Sequence, residues 1–98
     1  MAFSWLRFWK RARRSPLRIR MYTRQGCRLC EEAWKQLQEA QAEWGFSLEA
    51  VDIDVDPELV KLHSEWVPVV TVDGKVRFRG KINALLLQRL LKAETHRS

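Results

Sequence analysis

The chain predicts an α/β domain with the element order β-α-β-α-β-β-α, preceded by a basic amphipathic arm. Three observations carry this reading. An alternating apolar segment at 17–22 runs into Cys27-Arg28-Leu29-Cys30 and then into a helical pattern ending at Trp44. An apolar β-branched run, Val67 to Val72, is followed by Asp73-Gly74, a favoured two-residue hairpin turn. A leucine-rich segment then closes the chain.

Each element has a local reason. Leu17, Ile19 and Met21 alternate with Arg18, Arg20 and Tyr22, the period of a strand with one face more buried. The first helix carries Cys30, Ala33, Trp34, Leu37, Ala40 and Trp44 on one face, and Gly45 is its natural stop. Phe46 to Ile53 reads as the second strand. Asp56 caps a short helix with Pro57 at its first position and Glu58 in its first turn. Pro68 stands at the start of the third strand, where no ladder hydrogen bond is lost. Lys75 to Arg79 returns as the fourth strand and Gly80 ends it. Asn83 caps a last helix through Leu91, whose leucines 85, 86, 87, 90 and 91 are expected in the core with one exposed.

Ninety-eight residues, 46% of them hydrophobic, suffice for one small core and not for two. The organisation expected is an arm at 1–16, a domain at 17–93 and a tail at 94–98. The net charge of +6 is unevenly spread: the first thirty residues hold nine basic and no acidic side chains, and residues 31–98 hold nine basic and twelve acidic. The basic character therefore belongs to the arm and the approach to the cysteines.

No run reaches the ~20 apolar residues of a membrane-spanning helix. Arg7 and Lys10 interrupt what would be a signal-peptide core, and no such core follows Arg13-Arg14. A cytoplasmic protein is expected, associated with a membrane if the arm anchors it. A start at Met21 would remove most of the first strand, which favours Met1.

In the arm, Trp5, Leu6, Phe8, Trp9 and Ala12 fall on one side of a helical projection and Arg7, Lys10, Arg11 and Arg14 on the other, with Phe3 and Arg13 against the pattern. Such a helix can lie in the interface of an anionic membrane, dock on the domain, or remain a loose extension. Nucleic acid is not the expected partner. If residues 3–14 bind lipid, the full chain sediments with anionic vesicles and a chain beginning at Leu17 does not. Each basic side chain near such a surface contributes about 1 kcal/mol. Equal partitioning of the two chains excludes the anchor.

The only two cysteines, Cys27 and Cys30, are the candidate catalytic residues. Three residues apart at the mouth of a helix, they can form and break a disulfide with little backbone movement. Unpaired N–H groups and the helix dipole favour a thiolate at Cys27, the expected nucleophile. Cys30, on the apolar face, is the expected resolving thiol. Arg28 supports the thiolate and Glu31 and Glu32 oppose it. A zinc site needs four ligands, and His63 and His96 are poorly placed to complete one, so no metal is expected. Redox cycling is the reading preferred over metal binding or inert thiols.

This order, with CxxC at the first strand-to-helix turn and Val67-Pro68 before the third strand, resembles the thioredoxin fold. Tyr22-Thr23-Arg24-Gln25-Gly26-Cys27-Arg28-Leu29-Cys30, with Asp52-Ile53-Asp54 and Asp56-Pro57-Glu58, is similar to the small glutaredoxin-like proteins of bacteria and archaea over residues 17–92. The resemblance implies a four-stranded mixed sheet flanked by helices. It implies that Pro68 is a cis-proline facing the cysteines, that Val67 offers its backbone to a peptide or glutathione, and that Arg24 approaches a glutathione carboxylate. Gly80 and Asn83 fall where that family has the end of a Gly-Gly pair and a capping Asp. Trp66 is expected to make a rim contact with substrate.

Arg28-Leu29 stands where members that use glutathione well have Pro-Tyr, and Arg79 replaces a glycine. A dithiol mechanism on protein or low-molecular-weight disulfides follows more directly than glutathione as partner. No bound cofactor is expected, with glutathione a candidate reductant or ligand, and the protein is expected to be monomeric. The alternative is a non-catalytic thioredoxin-fold adaptor localised by its arm.

Overall fold

The computed structural model describes residues 17–97, so the arm and its expected helix at 3–14 lie outside the described residues. Four strands, β1 (Arg18–Thr23), β2 (Ser47–Asp52), β3 (Val69–Val72) and β4 (Lys75–Arg79), form one sheet in the order β2-β1-β3-β4. The helices are α1 (Arg28–Trp44), α2 (Pro57–His63) and α3 (Ala84–Arg97), with a 3-10 turn at Ile53–Val55. β1 pairs with β2 in parallel, joined through α1, and β1–β3 and β3–β4 are antiparallel. The sheet is therefore mixed, and the element order is the one expected.

Alternation along the strands sends Ile19 and Met21 of β1 and Val70 and Val72 of β3 into one cluster with Cys30, Ala33, Leu37 and Ala40 of α1 and Leu87, Leu90 and Leu91 of α3. Fully buried Ile53, Pro68 and Val69 lie outside that cluster. On the opposite face Tyr22, across from Val69, stacks on His63 at the end of α2, with ring centroids 4.4 Å apart.

Local chemistry fixes the element ends. Gly45 adopts φ 74° and its N–H donates to the Gln41 carbonyl at 2.8 Å, while Gln41 Nε2 reaches the Phe46 carbonyl at 2.9 Å. Asp73 (φ 51°) and Gly74 (φ 88°) both take the left-handed backbone of the tight hairpin. Asp73 Oδ1 also accepts from the Arg18 N–H at 3.0 Å, tying the hairpin to the start of β1. Asp56 caps α2, accepting from the Glu58 N–H at 2.9 Å.

Three expectations need correction. The second strand ends at Asp52 because the Asp52 carboxylate accepts the Asp54 N–H at 2.9 Å and bends the chain into the 3-10 turn. The last helix does not stop at Leu91 but continues to Arg97, since residues 92–97 contain no glycine or proline and the Thr95 hydroxyl bonds back to the Leu91 carbonyl at 2.8 Å. Two leucines of that helix are exposed, not one: Leu85 (60%) and Leu86 (51%) lie off the 87-90-91 stripe that faces the sheet.

Candidate active site at the CxxC turn

The turn between β1 and α1 is shaped by Gly26 at φ 75°, and Cys27 occupies the N-cap of α1 with extended backbone. Cys27 Sγ accepts the Cys30 N–H at 3.1 Å. The two sulfurs lie at bonding distance, and their Cα atoms are 5.2 Å apart. Cys30 is 2% exposed among Met21, Ala33 and the rest of the core, whereas Cys27 is half-buried and Leu29 beside it is exposed. The helix N-terminus thus presents its partial positive charge and an N–H to Cys27, the outer of the two sulfurs.

A concavity of about 540 Å³ opens beside the pair, lined by Arg24, Cys27, Cys30, Glu31 and Trp34 among others. Its size is in the range of small-ligand sites. Arg24 is held at its edge: Nε and Nη2 donate to the two carboxylate oxygens of Asp54 at 3.0 and 2.7 Å. The hydrogen bonds from Arg24 hold the Asp54 carboxyl below the usual carboxylate range.

A second flank is built from the loop into β3. β1 and β3 are antiparallel, so Pro68, just before Val69, lies at the same end of the sheet from which the CxxC turn departs. The Val67–Pro68 peptide bond is cis, and Val67 packs partly buried against the core. The Gly80 N–H donates to the carbonyls of Trp66 at 3.2 Å and Pro68 at 2.8 Å, so Trp66, Pro68 and Gly80 form one tied corner, with the Trp66 side chain 54% exposed. None of these residues lines the concavity that Arg24 shares with the cysteines. Asn83 is occupied as a helix cap: its Oδ1 accepts the Leu86 N–H at 3.0 Å. Among the described residues, no group of three or more His, Cys, Asp or Glu could hold a metal ion, and no helix is long and apolar enough to cross a membrane.

Two partners were not visible in the linear pattern. Asp54 is 30 residues from Arg24, and no spacing rule links them. His63, stacked on Tyr22, has its pKa held below the ordinary histidine value, first by burial and then by the charge of Arg79. The unfolded chain therefore binds a proton at His63 more readily than the folded one. Folding stability from this site is fully present above the ordinary histidine pKa of about 6.5 and is lost as pH falls through the lower folded value. The thermal midpoint is expected to drop between pH 7.5 and pH 5, and His63→Gln is expected to flatten that drop. An unchanged slope in the variant would assign it to other groups.

The glutaredoxin-like domain (DUF836) family model matches residues 18–92. An uncharacterized protein of Mycobacterium tuberculosis is 34% identical over 62 residues, a match covering 58% of this chain and 64% of that protein, so the chain spans under two thirds of this relative's length. A Nitrosomonas europaea protein solved by NMR aligns at 28% identity over 76% of this chain and 91% of its own, with a TM-score of 0.67. An X. campestris protein aligns at 30% identity over 76% and 96%, with a TM-score of 0.63. A thioredoxin of Arabidopsis thaliana in its oxidized state, 16% identical over 81% of this chain and 75% of its own, shares the fold with a TM-score of 0.58. The architecture is thioredoxin-like.

Proposed function

Because this chain belongs to the glutaredoxin-like domain (DUF836) family, we propose that it is a thiol-disulfide oxidoreductase acting through Cys27 and Cys30. The observation that carries this reading is the asymmetry of the pair: Cys27 is half-buried at the helix N-cap with an N–H directed at its sulfur, and Cys30 is buried one turn inside. In the reduced protein the Cys27 thiolate attacks one sulfur of a substrate disulfide. That S–S bond breaks, the departing thiolate takes a proton, and a mixed disulfide remains on Cys27. Cys30, deprotonated, then attacks Cys27 Sγ and releases the second substrate thiol. Two electrons have passed to the substrate, and the Cys27–Cys30 disulfide is recharged by an external dithiol or by glutathione.

The substrate expected is a disulfide in a protein or small molecule. Trp66 and the Val67 backbone support a peptide contact on one flank, and the Arg24 concavity accommodates a small group on the other. A redox titration of the pair in defined thiol–disulfide buffers tests the reading. A reversible two-electron transition within the span of cellular dithiol couples, roughly −270 to −120 mV, is expected. A pair that stays oxidised well below that span, with no turnover of any disulfide, would favour the non-catalytic adaptor.

A further inference from the structure

The cation beside the reactive sulfur already has a carboxylate. Arg24 presents a planar guanidinium suited to bidentate binding of a carboxylate, and Asp54 fills its Nε–Nη2 edge. The two side chains keep 37% and 46% of their surface, so the pair is not sealed in the interior, and its Arg24 lines the concavity that holds Cys27. Two further acidic groups stand by: Asp52 also acts on Arg24, and Glu31 lines the same concavity.

The 3-10 turn that carries Asp54 has hydrogen bonds of its own. Asp52 Oδ1 accepts the Asp54 N–H at 2.9 Å, and the Asp56 N–H donates to the Ile53 carbonyl at 3.2 Å. A structural staple is thus a weak account of the Asp54 side chain.

We propose that Asp54 is a specificity-determining residue, an internal carboxylate that occupies Arg24 and turns the redox concavity away from small carboxylate-bearing thiols and toward polypeptide disulfides with no acid at that position. This rests on the oxidoreductase reading and names the substrate class of the same site. An incoming carboxylate finds the Nε–Nη2 edge taken and the charge of Arg24 already countered by Asp54, and it must also approach Asp52 and Glu31, whereas an uncharged peptide segment meets no such competition. Exposed ion pairs are weak, but bidentate Arg–carboxylate geometry is the case in which they count, so unmasking Arg24 is expected to strengthen carboxylate binding about threefold to fivefold.

The probe is S-methylglutathione, which carries two carboxylates and no free thiol, titrated against the full chain by calorimetry or NMR. Asp54→Ala is expected to bind it about threefold to fivefold more tightly than the unaltered protein, with Asp54→Asn intermediate. The diester of the probe should show no gain, and Arg24→Gln combined with Asp54→Ala should abolish it. Equal affinity in the unaltered and Asp54→Ala proteins, a gain shared by the diester, or no measurable binding by either overturns the proposal. The titration needs no turnover. Failure of every variant to reduce a neutral disulfide such as bis(2-hydroxyethyl) disulfide would count against the oxidoreductase reading, not against the masking of Arg24.

Discussion

A Cys30→Ser protein is expected to accumulate a covalent mixed disulfide on Cys27, while Cys27→Ser forms none and falls to the rate of uncatalysed exchange. The difference follows from position. Cys27 Sγ lies at the helix N-terminus and accepts the Cys30 N–H at 3.1 Å, so negative charge on that sulfur meets a donor and a favourable dipole. Cys30 is 2% exposed beneath it and can be reached by Cys27 but not by a bulky disulfide. Removing Cys30 leaves the attack intact and blocks release; removing Cys27 leaves no accessible attacker. Mass spectrometry after incubation with a disulfide peptide reads both outcomes. In the reduced protein, alkylation at neutral pH should label Cys27 first. Preferential labelling of Cys30, or mixed disulfide on Cys27→Ser, would reverse the assignment.

The placement of the two cysteines was legible because its determinants are local. A thiol pair spaced by two residues, a glycine before it and an apolar helical stripe after it are contiguous in the chain, and the structure places Cys27 at the cap and Cys30 in the core accordingly. The hairpin was legible for the same reason: Asp73-Gly74 supplies two left-handed residues, and β4 spans the expected Lys75–Arg79. What was not legible depends on contacts between distant segments. The Arg24–Asp54 fork and the Tyr22–His63 stack join residues that share no periodicity, and they exist only once β1 lies beside β2 and the end of α2 comes against the outer face of β1. The 3-10 turn escaped a pattern reading because one side-chain bond, from the Asp54 N–H to Asp52, sets it.

The leucines of α3 show where periodicity and composition part, and they make the largest stability prediction. Leu91 is 0% exposed and Leu87 3%, one turn apart against the sheet, whereas Leu85, on the same short stretch, is 60% exposed. Composition alone assigns all of them to the core; the 3.6-residue period admits only those on one stripe. Leu91→Ala removes a side chain packed in a closed cluster with Leu37, Ile19 and Val70, and the cavity it leaves adds to the lost burial. The expected cost is about 2–5 kcal/mol, enough to lower the thermal midpoint of a domain this size by roughly 10 °C or more. Leu85→Ala should stay within about 0.5 kcal/mol, since its side chain faces water and alanine is at least as good a helix former. Chemical denaturation of the two variants checks the contrast. Similar losses in both would mean that α3 packs on a different face, and would remove the support that Leu87, Leu90 and Leu91 give to the buried side of Cys30.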